Sequence, residues 1–188
     1  LDAVVQTNNS ANTTASDLMD AFIGCGGAAR AAGMDYKETA TALGILANNG
    51  IKGSEAGTAL NSMLVRISTK DVAQKAFKEL GVAVYDSSGE MRNMQDILVD
   101  LNGAMAGMTQ EQINAYMSAI AGTNYYSQFG YLLDGVKEGV DGSASAWDEL
   151  AGAIDNSKGA LDTMDATVTG TLQAAMARFQ SAVSDLKI

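Results

Sequence analysis

TALGILANNGIKGSEAGTAL, residues 41–60, reads as one helix, a stop and a second helix. Leu43, Ile45, Leu46 and Ala47 supply apolar surface before the stop. Asn48-Asn49-Gly50 is helix-ending chemistry, because Gly and Asn tolerate the left-handed backbone that closes a last turn. Ile51 and Gly53 continue the connection. Ser54 is the expected N-cap of a helix carrying Ala56, Ala59, Leu60, Met63, Leu64 and Ile67. On physical grounds the pair is an αα-hairpin, a local shape that says nothing of function.

Composition bounds the rest. The 188 residues suffice for one domain, or one domain with an appendage. The apolar fraction of 47% furnishes a core, but only 6% of residues are aromatic, so Ala, Leu, Ile, Val and ten Met must build it. No proline is present, which favours helices, while twenty glycines oppose one uninterrupted helix. The net charge of −10 argues against direct binding to nucleic acid, which needs Lys and Arg to replace released counterions. The richest basic cluster, Arg66, Lys70, Lys75 and Lys78, sits among Asp71 and Glu79 and reads as solvated helix faces. One cysteine, Cys25, allows no internal disulfide, and the absence of His excludes a Cys-His nucleophile pair. Cys25 therefore reads as a small packed residue.

Upstream of the quoted stretch, residues 1–15 are expected to be a linker or a severed helix end, and an opening Leu suggests a piece of something longer. No signal-peptide pattern is visible there. A helix is predicted over residues 17–32, with Leu18, Phe22, Ile23 and Ala29 inward, and with Gly24, Gly26 and Gly27 either weakening it or letting a neighbour approach. Asp35 and Glu38 stand at capping-box spacing before the helix that reaches Asn48.

Downstream, Ser68-Thr69 reads as a break. Asp71–Leu80 reads as a short amphipathic helix with Val72, Ala73, Ala76, Phe77 and Leu80 inward, ended by Gly81. Val82–Tyr85, the turn Asp86-Ser87-Ser88-Gly89 and the return at Glu90-Met91-Arg92 predict a small β-hairpin over residues 82–92. Helices are expected from Asn93, from Thr109 (with Gln112 at capping-box spacing), over residues 124–136, and from Ser143 or Ser145 with Trp147, Leu150 and Ile154 inward. Tyr125, Tyr126 and Phe129 in the third of these are read as core or as a self-association surface. The last helix, about residues 160–186, spaces Val168, Leu172, Ala175, Phe179, Ala182 and Leu186 at 4, 3, 4, 3, 4. That is an a/d seam, the start of a coiled coil through which copies could join.

Chemistry is absent from the motifs. There is no GxGxxG, P-loop or HExxH, and without His the usual zinc and acid–base sites are missing. Asp86-Ser-Ser-Gly-Glu has too few oxygen ligands for an EF-hand loop and reads as a turn. Gly103-x-x-x-Gly107 and Gly135-x-x-x-Gly139 have a close-packing spacing in polar surroundings. Gln112–Leu133 lacks charge for 22 residues, yet Gln112, Asn114, Ser118, Thr123, Asn124, Ser127 and Gln128 are too polar for hydrocarbon. No catalytic, cofactor or metal residue is expected, and an interaction or structural protein is the default.

An ordered series of blocks carries a resemblance. Ala31-Ala32-Gly33-Met34 with Glu38-Thr39 leads into Ala42-Leu43-Gly44-Ile45-Leu46-Ala47, Gly50-Ile51-Lys52-Gly53-Ser54 and Ala56-Gly57-Thr58-Ala59-Leu60. Leu80-Gly81-Val82, Tyr85-Asp86, Gly89, Met91-Arg92 and Asp96-Ile97-Leu98 follow, then Met108-Thr109, Ala119-Ile120-Ala121-Gly122 and Asn156-Ser157-Lys158-Gly159-Ala160. In this order they resemble the core domain of phage tail tape measure proteins of the TP901 family, over residues 18–186. Ile120-Ala121-Gly122 departs from the family's usual Ile-Phe-Gly, and Tyr125, Tyr126 and Phe129 stand where smaller residues are frequent.

The resemblance implies a mainly α protein: a compact multi-helix core over residues 16–158 with the small hairpin, then a long helix over 159–188. It implies a structural protein of a phage or prophage-derived particle. Such proteins lie in the tail tube, set its length during assembly in the bacterial cytoplasm, and leave at genome ejection. The expected partners are other copies of the chain and tail tube, tail tip or baseplate proteins. No cofactor and no direct nucleic-acid contact are implied. The alternative is a membrane-active module, in transient membrane contact, that helps form a channel for DNA delivery.

Overall fold

The computed structural model describes residues 6–7 and 10–156. Its helices run in the order α1 (Ala15–Ala31), α2 (Tyr36–Asn48), α3 (Gly53–Thr69), α4 (Asp71–Leu80), α5 (Met94–Ala104), α6 (Gln110–Ala121), α7 (Tyr126–Gly135) and α8 (Ala146–Asp155). The expected long helix with its seam, residues 159–188, lies outside the described residues.

The fold is built around α2. Every residue from Thr39 to Ala47 is buried, the pattern of a helix surrounded on all sides rather than of a surface helix with one apolar stripe. Its two buried hydroxyls are satisfied within the helix: Thr39 Oγ1 donates to the Asp35 carbonyl at 2.7 Å and Thr41 Oγ1 to Lys37 at 2.9 Å. Helices α1, α3, α7 and α8 all pack on it. Two glycines set how closely. A Cβ at Gly44 would stand 2.4 Å from Leu150 Cδ2 on α8, and one at Gly135 on α7 would stand 2.8 Å from Ile45 Cδ1. Leu150 and Ile45 fill the space those side chains would have taken.

The stop after α2 is the one its sequence predicts. The Ile51 amide donates to the Leu46 carbonyl and the Gly50 amide to Ala47, both at 3.0 Å, and Gly50 has φ +86°. This is a Schellman closure. The start of α3 differs from the expectation. Lys52, not Ser54, is the N-cap residue, without a side-chain cap bond, and Ser54 lies within the first turn, where its carbonyl accepts from Thr58 Oγ1.

The αα-hairpin is only a minor contact, because α3 packs chiefly on α1. The two run parallel in direct contact, joined in the chain by α2, which packs on both. Gly53 sits beside Asp17, Gly57 against Ala21, and Asn61 Nδ2 donates to the Gly24 carbonyl at 2.8 Å. At Gly57 the backbones meet: a Cβ there would lie 2.3 Å from the Ala21 oxygen. Gly24 serves this approach rather than weakening α1. Among the described residues neither Gly103 nor Gly107 has a neighbour within 4 Å of a Cβ position, so the first of the two spaced glycine pairs makes no close approach to them. In the second pair, Gly139 belongs to the loop after α7.

Other expectations are corrected by which face each helix turns inward. Ile23 and Val72 are 49% and 51% exposed, because Leu18, Phe22, Cys25 and Ala29 define the inner face of α1, and Ala73, Ala76 and Phe77 that of α4. Ser68 and Thr69 do not break α3. Their hydroxyls donate to the Leu64 and Val65 carbonyls, and the chain turns at Lys70. Arg66 is not a solvated cation: its guanidinium donates to the Ile120 and Ala119 carbonyls at 3.4 and 3.2 Å, covering the C-terminus of α6.

The predicted β-hairpin is absent. Among the described residues there is one isolated antiparallel bridge, Tyr85 to Met91, and no strand. The Asp86 carboxylate gathers the amides of Ser88 and Glu90 and the Ser88 hydroxyl, closing a tight turn, and the chain enters α5 before a ladder can extend. Ala11 and Asn12, in the expected linker, are tied to the fold, although Asn12 is exposed. Ala11 is buried, and the Asn12 amide donates to Asn48 Oδ1 at 2.7 Å.

Candidate interaction surfaces and junctions

The residues expected to mediate self-association separate in the fold. Phe129 is 1% exposed and belongs to the core with Leu132 and Leu133, so it is withdrawn from any surface. The inward face of α7 claims it, because α7 lies on α2. Tyr125 is partly buried against the core, and Tyr126 is 39% exposed. Val168, Leu172, Ala175, Phe179, Ala182 and Leu186 lie outside the described residues.

Two surface grooves carry apolar floors. One lies between α5, α6 and α7, over Met105, Met108, Ile113, Met117 and Leu133. Gly130 leaves room there for Met117, whose methyl would be 2.9 Å from a Cβ. Its rim holds Asp134 and Lys137, paired at 2.6 Å. The other lies between α4 and α6, with Val72, Ala76, Ala115, Tyr116 and Ala119 beneath the Lys75–Glu79 pair. Methionine floors adapt to irregular partners, and the sequence reading missed both grooves. For the first, the signal was the Met spacing 105, 108, 117, which converges only once α5 and α6 both lie against α7.

Basic side chains are largely engaged within the chain. Lys37 pairs with Asp155, Arg92 with Asp100 at 2.8 Å, and Lys52 donates to Asn12. The surface they leave is acidic, in keeping with the net charge of −10. Cys25 is buried, and burial pushes its thiol up to about 12, which makes it inert as a nucleophile. Among the described residues no group of three or more Cys, Asp or Glu is placed to hold a metal ion, and no helix is long and apolar enough to cross a membrane.

One polar junction stands apart. Asp35 caps α2 by accepting from the Glu38 amide at 2.8 Å, as its spacing predicts. The Glu38 carboxylate does not return to Asp35. It reaches across to the amide of Met94, the first residue of α5. Asn93 caps α5 only at Gln95, so the Met94 N–H would otherwise be an orphan donor. The Thr109–Gln112 pair, by contrast, closes both halves of its capping box at the start of α6.

The profile of the phage-related minor tail protein family matches residues 1–122, ending at the glycine that terminates α6. The chain belongs to that family. Among similar minor tail proteins, the "Tape measure protein" of Pneumococcus phage Dp-1 is 33% identical over 92% of this chain and 16% of its own length. The "Probable tape measure protein" of Escherichia phage P2 is 29% identical over 93% of this chain and 22% of its own length. The chain thus spans about a fifth or less of these relatives. No solved structure matches this minor tail protein chain significantly. As a member of this family it is a phage tail structural protein, mainly helical.

Proposed function

We propose that residues 16–158 are a folded domain of a tape measure protein, of the TP901 core type, within a phage or phage-derived tail. The parent protein sets tail length during assembly and is released at genome ejection, and this domain is a compact knob on it rather than part of the ruler. The observation that carries this reading is the path of α1, α2 and α3. A continuous helix over residues 15–69 would reach about 80 Å at 1.5 Å per residue. The parallel α1 and α3, joined in the chain by α2, cover little more than the length of α1, about 25 Å. A chain folded back this way measures distance poorly.

The domain works by contact. Its grooves and acidic surface face other tail proteins, at the tube, tip or baseplate, and residues 159–188 join copies through Val168, Leu172, Ala175, Phe179, Ala182 and Leu186. Tyr126 is the residue of the aromatic helix left to contribute. No catalytic step is assigned to this region.

The test is an in-frame deletion of residues 36–157 in the parent gene, with tail length measured by electron microscopy. The expected result is unchanged length with lost infectivity or killing. Shortening by about 1.5 Å per deleted residue would mean that the region is extended in the particle, and would overturn the knob.

A further inference from the structure

We propose that the methionine-floored groove between α5, α6 and α7 is the seat of the apolar stripe of residues 168–186 of the same chain, and that it masks this stripe in the free protein until copies meet. The masking role rests on the reading above, in which the stripe joins copies. The stripe is short and broad. From Val168 to Leu186 it spans under three heptads, less than a coiled coil sustains. The residues that follow its Ala175 and Ala182 are Met176 and Val183, both apolar. A stripe widened to three positions in seven suits a helix lying on a folded surface, whereas a two-stranded coil uses the a and d positions alone. Such a helix gains most of its stability by packing that face on something else.

The groove supplies the seat. It holds about 520 Å³ over Met105, Met108, Ile113, Met117 and Leu133, and thioether side chains adapt to the large and small residues that alternate along the stripe. It also lies within reach. Helix α8 ends at Asp155, which pairs with Lys37 at the start of α2. The start of α5 is at the same place, tied there by Glu38. Met105, just past the other end of α5, is in the groove. The distance to cover is therefore close to the length of α5, about 16 Å. Residues 156–167 reach about 18 Å even at helical rise, and further when extended. The groove between α4 and α6 is lined, among the described residues, by those two helices alone, so the path along α5 does not lead to it. A tethered stripe also meets its own groove at a higher effective concentration than a second copy offers in dilute solution.

The test is methionine methyl NMR on the whole chain, dilute enough to sediment as one copy, for wild type and Phe179→Asp side by side. The expected result is that the methyl signals of Met105, Met108 and Met117 move when the stripe is spoiled, while that of Met19 in α1 holds. Groove methyls that stay in place would overturn the proposal, whether or not the chain associates. Sedimentation of Met108→Asp gives a second arm, because Met108 is only partly buried and a charge there spares the core. The expected result is a shift from one copy to two, reversed when Phe179→Asp is added. Groove methyls that respond while Met108→Asp stays a monomer would overturn the masking role together with the joining of copies on which it rests. A wild-type chain that remains paired through the stripe on dilution would overturn the seat within one chain and leave the joining of copies standing.

Discussion

The α1–α3 crossing and the α2–α5 junction hold this domain by opposite means. At the first, two parallel helices meet backbone to backbone at Gly57 and Ala21, and Asn61 adds a bond to the Gly24 carbonyl. At the Gly57–Ala21 and Asn61–Gly24 contacts no titratable group takes part, so shape decides there. At the second, one carboxylate spans two helix starts, and burial pushes it up to about 7. Close packing holds the first joint at Gly57 without a titrating contact, and a half-buried acid makes the second sensitive to pH.

The largest effect is expected at the packed joint. Gly57→Ala forces a methyl against the Ala21 carbonyl, where backbone must yield. It should destabilise by about 2–4 kcal/mol despite the better helix propensity of alanine, read as a fall in the urea midpoint with unchanged slope. A neutral effect would mean that the two helices can part without loss, and the contrast between the joints would fail.

Next comes the tunable joint. The folded Glu38 carboxyl lies at about 7 and its ordinary value is 4.5, so the folded state holds more protons between those values. Its stability contribution is full below pH 4.5 and is lost as pH rises to about 7. With a discount for the remaining solvent contact, wild type should lose about 1 kcal/mol relative to Glu38→Gln over that window. Thermal melts of both chains from pH 4.5 to 8 check it, and parallel curves would break the comparison.

A smaller effect sharpens the first joint. Asn61→Ala removes a half-buried hydrogen bond and should cost about 1 kcal/mol, independent of pH from 5 to 8. A pH-dependent loss would mean that ionisation reaches this joint too. The smallest effect is the control: Lys75→Ala breaks an exposed pair 3.8 Å long and should change stability by less than about 0.5 kcal/mol.

Helix positions and ends were largely legible in the sequence, because their causes are local. Asn-Asn-Gly closes α2, Gly81 in the left-handed conformation closes α4, Thr109 and Gln112 open α6, and Ser145 opens α8 with Trp147, Leu150 and Ile154 inward. Ser54 failed as a cap because Gly53 already begins the helix. The hairpin over 82–92 failed because strand propensity without a partner sheet leaves only a turn, closed here by Asp86. For Phe129 the sequence left core and surface open, because aromatic content does not tell an inner face from an outer one, and the fold places it in the core.

The sequence by itself determined a helical, acidic chain without histidine, and the order of blocks that places it among tail proteins. Those properties follow from residue type and short spacing. Only the tertiary structure decided that α2 is the buried axis, that α3 prefers α1 to its sequence neighbour, that Arg66 closes α6, and that Glu38 serves α5. The contacts behind them join residues 36 to 106 positions apart. At such separations the partner of a glycine, an arginine or a carboxylate is chosen by what the fold leaves uncovered, which no local pattern encodes.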